Sequence, residues 1–288
     1  MSIGKIIRPI LTFSNVAQAN TSTAQITPGR TIESIILVVS GNVQAATAWD
    51  ITNATHTPLI RIKANGKTII EGTGAQLAAL SYFRGHGASS TYLPISFIES
   101  KKGRDFLDEM VGAFDTSAGV ANITVEVQIG GAGGAFTGTL KAYTIESAPQ
   151  AANPHSKSYA GLMHKVLRYP WALGVGGALN VPLPFGPVNG AILKRLHIGQ
   201  TNGLVTAVTL KQDGVVLSDT LLADNQYVNT LFSNTNQANF YTLDFMADGN
   251  LKNALDTRDA RSLELQVTCS NADNGFVIAE YLDQLGNL

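Results

Sequence analysis

The chain is 288 residues long and carries 20 Lys+Arg against 21 Asp+Glu, a formal net charge of −1. That balance, with no basic cluster along the sequence, excludes binding driven by phosphate neutralisation and therefore nonspecific nucleic-acid binding. Charged residues reach only 14% and AVILMFWYC residues 44%, so Thr, Ser, Asn and Gln must cover the surface or other chains must hide it.

The length favours two domains, each large enough for its own core. No run of about 18 apolar residues is present, and Met1 to Phe13 lacks the apolar stretch and cleavage site of a signal peptide, so synthesis and retention in a cytoplasm are expected. The single Cys269 excludes an intrachain disulfide and a cysteine-based metal cage.

Taken in chain order, Lys5–Phe13, Ser22–Thr27, Ile32–Ser40, Leu59–Ala64, Lys67–Glu71 and Tyr92–Glu99 read as strands. Asn65-Gly66 is the dipeptide of a tight hairpin turn between two of them. Lys101 to Phe114 breaks the β pattern: Phe106, Met110 and Phe114 recur four apart, which predicts a helix with one apolar stripe. Asn122–Ile129 and Phe136–Glu146 return to strand, and Gly130 to Gly134 between them reads as a flexible hairpin loop. Eight antiparallel strands in two facing sheets describe a jelly roll, among other sandwiches. Ser147 to Gly161 has no apolar period and two prolines, the pattern of a linker.

Beyond that linker the plan recurs. Lys165-Val166-Leu167-Arg168 repeats Lys5-Ile6-Ile7-Arg8 at an offset of 160, and Ala191-Ile192 repeats Thr31-Ile32 at the same offset. Val208 to Gly214 matches Ile60 to Gly66, and Phe240 to Met246 matches Tyr92 to Ile98, both at 148. Leu263, Leu265, Val267 and Cys269 follow Ile123, Val125, Val127 and Ile129 at 140, and Tyr281 follows Tyr143 at 138. The offsets hold or fall, as in a duplicated domain with shorter loops in its second copy. Asp248 is placed to cap a short helix carrying Leu251, Ala254 and Leu255. The domains are therefore read as 1–147, a linker 148–161, and 162–288.

The search for catalytic motifs returns simpler readings. Gly66-Lys67-Thr68 resembles the end of a phosphate loop, but Arg61 stands where a glycine is required. There is no Gly-x-Ser-x-Gly elbow, and no two of His56, His86, His155, His164 and His197 have metal-ligand spacing. Cys269 continues the apolar side of a strand and reads as a buried, inert thiol. Asp213, Asp219, Asp224 and Asp244 carry oxygen ligands but form no EF-hand-type loop, so no calcium site is assigned. No cofactor is required, and no enzyme is expected.

Asn15-Val16-Ala17, Pro28-Gly29 before Ile32-Glu33-Ser34-Ile35-Ile36-Leu37, Leu183-Pro184, Asn239 to Met246 and Ile278-Ala279-Glu280-Tyr281 carry a family likeness. In their order along nearly the whole chain, they resemble the major capsid protein of corticoviruses, membrane-containing icosahedral bacteriophages. The fold expected is all-β: two tandem eight-stranded jelly rolls, a double jelly roll, each with a short helix. The resemblance implies a viral coat protein whose trimers form pseudo-hexagonal capsomers. These tile an icosahedral shell over an internal lipid membrane enclosing the genome. Implied partners are the homotrimer, neighbouring trimers, a vertex or penton protein and the internal viral membrane, with no sequence-specific nucleic acid. Calcium is implied by the resemblance alone, without assignable ligands, and the virion is the implied location, with assembly in the host cytoplasm.

Interface roles are expected for Lys101, Arg104, Phe106, Met110 and Phe114, and for the loops Gly72 to Gly87 and Asn229 to Asn239. Lys5 and Arg8 could face lipid headgroups, but the repeat favours a structural role for both. The alternative reading is a tandem β-sandwich carbohydrate-binding or surface protein, which predicts an export signal and exposed aromatics; aromatics are only 7%.

Overall fold

A computed structural model describes residues 5–9, 12–99, 110–117, 119–131, 134–149, 161–284 and 287. The chain divides into two compact units, Met1–Lys165 with Gln284–Leu288, and Val166–Asp283.

The first unit runs β1 (Ile6–Pro9), β2 (Thr21–Ile26), β3 (Thr31–Ser40), the short pair β4 (Asn42–Gln44) and β5 (Thr47–Ala48), then β6 (Leu59–Ala64) and β7 (Lys67–Gly72). Helix α1 (Gly74–Phe83) follows, then β8 (Tyr92–Ser96), β9 (Phe114–Asp115), β10 (Ile123–Gln128) and β11 (Thr139–Ser147). One sheet has the order β1-β11-β3-β8, with β9 also on β3; a second contains β7-β6-β10-β2. Apart from the β4–β5 and β6–β7 hairpins and the short β9, which joins β8 on β3, successive strands alternate between the two sheets, which is jelly-roll winding. Alternation explains the burial: Ile35, Leu37 and Val39 of β3 and Ile123, Val125 and Val127 of β10 are buried while their neighbours are not. Pro9 and Pro94 lie in β1 and β8, the ends of their sheet path, where a missing N–H breaks no ladder.

The second unit runs β12 (Leu162–Leu173), β13 (Gly177–Pro182), α2 (Gly186–Asn189), β14 (Ile192–Gln200), β15 (Val205–Gln212), β16 (Val215–Leu221) and α3 (Leu222–Leu231). It continues with β17 (Phe240–Asp244), a 3₁₀ turn (Leu251–Asn253), β18 (Leu255–Asp256), β19 (Leu263–Cys269) and β20 (Asp273–Gln284). Its sheets contain β12-β20-β14-β17, with β18 on β14, and β13-β19-β15-β16. Trp171, Leu196, Ile198 and Tyr281 from the first sheet and Val181, Leu210, Leu265 and Val267 from the second share one hydrophobic core.

Apart from the short β4–β5 pair, the two units match strand for strand. Reading β1, β3, β8, β9 and β11 as β12, β14, β17, β18 and β20, and β2, β6, β7 and β10 as β13, β15, β16 and β19, reproduces both sheet orders. Even the short strands agree: Phe114 pairs with Ile32, and Leu255 with Leu193. Asn65-Gly66 and Asp213-Gly214 both have positive φ, at 49° and 81° and at 51° and 79°, so each is the tight hairpin turn its dipeptide predicts.

Four expectations about local structure are corrected. The predicted helix to Phe114 ends in other structure: Phe114 belongs to β9, pairing with β3, while residues 101–109 lie outside the described residues. The second predicted helix is a single 3₁₀ turn capped by Asn250, whose side chain accepts from Lys252 N–H; Asp248 instead accepts from Asn250 N–H. Gly130 to Gly134 is not a hairpin, because β10 pairs with β2 and β6 while β11 pairs with β1 and β3. The connection crosses between sheets. Finally, most of Gly72–Gly87 is helix α1, and Asn229–Asn239 begins inside α3.

Candidate assembly surface

Buried charge is paired in both units. In the first, Glu146 of β11 accepts from Arg8 Nη2 at 2.7 Å and Thr144 Oγ1 at 2.6 Å, with Arg30 Nε at 3.5 Å. Lys5 Nζ lies 2.9 Å from Glu33. Lys5 and Arg8 thus have internal carboxylate partners, which supports their structural reading. In the second unit, Glu280 of β20 meets His197 Nε2 at 2.9 Å and Arg195 Nη1 at 3.1 Å, while Arg195 Nε reaches Asp244 at 3.1 Å. These groups are buried, and a carboxylate there persists because several donors replace its water.

Loops are held by side-chain caps in the same way. Asp273 receives N–H bonds from Thr201, Asn202 and Asn274 on Oδ1 and from Leu204 on Oδ2. Burial opposes its charge, yet the backbone donors outweigh burial and hold the carboxyl below its ordinary pKa. Asp213 accepts from Arg261 and Ser262 N–H; Asn65, its counterpart, accepts from Ala121 N–H at 2.8 Å.

Three of the four aspartates considered for calcium are engaged elsewhere: Asp213 as above, Asp219 accepting from Thr209 Oγ1, and Asp244 from Met246 N–H and Asn234 Nδ2. Among the described residues no three His, Cys, Asp or Glu side chains gather as a metal site. Among them also, no helix is long and apolar enough to cross a membrane. Cys269 is buried on β19, and burial, then the charge of Asp273, pushes its thiol pKa up.

Of the residues expected at an interface, Met110 and Phe114 are buried within the chain, Phe114 beside Phe97 with ring centroids 5.7 Å apart. Lys101, Arg104 and Phe106 lie outside the described residues. Among the described residues, the largest run of exposed apolar side chains falls elsewhere, on β16 and α3.

The helices α1 and α3 begin 148 residues apart, the offset of the hairpins before them, yet they pack oppositely. Helix α1 has a capping box, Thr73 with Gln76, and buries Leu77, Leu80 and Phe83. Arg84 at its end donates to Ser96 O at 2.7 Å. Helix α3 buries Asn225 and Asn229 instead. Asn229 Nδ2 donates to Asn225 Oδ1, Asn236 Oδ1 and Thr242 O at 3.2, 3.2 and 3.3 Å, and Asn236 Nδ2 donates to Gln226 O at 2.8 Å. Its outward residues are Tyr227, Val228 and Leu231, followed by Phe232. Before it, Val215, Val216, Leu217 and Leu221 of β16, the end strand of its sheet, are also exposed. The sequence reading missed this surface because α3 turns asparagines, not an apolar stripe, toward its own unit. The Thr73-x-x-Gln76 pair before an apolar run was the available signal for α1.

Residues 7–147 match the family described as viral coat protein P2 N-terminal domain, and residues 163–285 match viral coat protein P2 C-terminal domain. The chain belongs to the viral coat protein P2 family. It is a structural, non-enzymatic coat protein of the virion capsid. Its fold is similar to the major capsid protein P2 from bacteriophage PM2, with TM-score 0.79 and 18% identity over 98% of both chains. The fold is also similar to the STIV major capsid protein, at TM-score 0.69 and 16% identity over 99% of both chains. The PBCV-1 virus capsid protein matches at TM-score 0.62 and 10% identity, over 97% of this chain and 93% of that one. No curated protein sequence matches the chain. At these identities the likeness to solved structures shows the double jelly-roll fold.

Proposed function

We propose that this coat protein is a major capsid protein that acts as a homotrimer, with six sandwiches giving a pseudo-hexagonal capsomer. Trimers tile an icosahedral shell over an internal lipid membrane enclosing the genome. The observation that carries this reading is the repeated strand order of the two units: three chains then contribute six similar bodies, and a hexagonal outline needs no six-fold axis.

In this reading 1–147 and 162–288 are the jelly rolls and 148–161 their linker. Partners are identical chains, neighbouring trimers, a vertex or penton protein and the internal membrane, and assembly takes place in the host cytoplasm. In the same reading the segment 101–114, with Lys101, Arg104 and Phe106, has an interface role.

The test is size-exclusion chromatography with light scattering, followed by negative-stain imaging of the same peak. The expected result is a mass close to three times the 30.4 kDa chain and a hexagonal outline. A monodisperse single chain, unchanged at raised concentration and with added calcium, overturns the reading and favours the carbohydrate-binding alternative.

A further inference from the structure

Helix α3 is inverted: asparagines face its own unit and Tyr227, Val228 and Leu231 face outward. An outward apolar face on one helix, where its counterpart in the other repeat packs Leu77, Leu80 and Phe83 inward, points to a use outside the chain. With β16 included, eight large apolar side chains are exposed at 42–66% each between Val215 and Phe232. At about 100 Å² apiece they expose on the order of 800 Å² in all, divided between the two sides of β16 and the outer side of α3, against the roughly 800 Å² that one partner contributes to a stable interface.

We infer that the β16–α3 surface, Val215 to Phe232, is where a second copy of this chain docks. The inference rests on the homotrimer reading above and assigns that contact to a surface.

Charge selects the occupant. Val215 to Phe232 contains no Lys or Arg, and its charged residues are Asp219 and Asp224. A surface built to lie on anionic lipid carries basic residues around its apolar face, so a membrane is the wrong partner. An apolar patch nearly free of charge is the composition of permanent contacts between identical chains. Beneath it, the bonds of Asn229 and Asn236 tie the helix to β17 and its following loop, so the face is pre-ordered and little entropy is lost on docking.

The experiment compares wild type with Tyr227→Ser/Leu231→Ser by light scattering over a concentration series, with circular dichroism as the folding control. The variant is expected to be a folded single chain at concentrations where wild type is assembled, its midpoint raised at least about tenfold. Hydrogen exchange on wild type, assembled against diluted, is expected to show new protection within residues 215–232. This second measurement decides the matter if the variant does not fold. If wild type never assembles, the homotrimer reading fails and this inference with it. If wild type assembles while the variant does so equally, or residues 215–232 gain no protection, the homotrimer reading stands and this surface is not its contact.

Discussion

Asp213 and Asn65 sit at the same place in the two repeats and perform the same task with different chemistry. Each adopts a left-handed backbone, and each side-chain oxygen accepts N–H bonds from the residues leading into β19 or β10. Asp213→Ala removes two acceptor bonds and the side chain that tolerates that φ. It is expected to lower stability by about 2 kcal/mol, read as a shift of urea midpoint at unchanged slope. Asp273 adds a pH dependence whose sign follows from its depressed pKa. Its contribution is fully present above the unfolded value of about 3.9 and is lost as pH falls through the lower folded value. Asp273→Asn should therefore cost about 1–2 kcal/mol at pH 7, and the gap to wild type should close below about pH 4. Cys269, buried and with its thiol pKa raised, should resist thiol reagents in the native protein and react fully only on unfolding. Rapid labelling of the native chain would contradict its placement on β19.

At the scale of elements, the two helices separate stability from assembly. Phe83 is 2% exposed at the inner face of α1, so Phe83→Ala should destabilise by about 3–5 kcal/mol. Tyr227 is 66% exposed on α3, so Tyr227→Ser should change the unfolding free energy of the dilute single chain by no more than about 0.5 kcal/mol. Denaturant titration of both variants checks the pair, and a large loss from Tyr227→Ser would mean that α3 is not inverted. The contrast also shows how duplicated elements diverge: the position along the chain is retained while the face that carries apolar residues is reversed.

At the scale of the whole molecule, the low charge content has two destinations. Within the units, the buried carboxylates Glu146 and Glu280 are matched by arginine or histidine partners, and the buried Asp273 by backbone N–H groups. On the outside, the exposed large apolar side chains among the described residues concentrate between Val215 and Phe232. Association through that surface should persist at 1 M salt, where the screening length falls to about 3 Å, and should strengthen in sulfate. Light scattering across a salt series reads this directly. Dissociation by moderate sodium chloride would assign the contact to charged segments instead.

The sequence by itself determined the β class, the duplication and the long strands of the first copy. Alternation in Ile123–Gln128 and Leu263–Cys269 and the Asn-Gly and Asp-Gly turns are local signals, set by a period of two and by φ preference. It also carried the ordered motifs of the capsid likeness. Only the tertiary structure decided which strands pair, and so turned Gly130–Gly134 from a hairpin into a crossing between sheets. Pairing is a relation between segments far apart in the chain. Likewise, helix α3 was illegible because a stripe of periodic apolar residues is read as a face toward a core, whereas here the core side is asparagine. Its apolar side acquires meaning only when β17 and the loop after α3 are seen to take up the polar one.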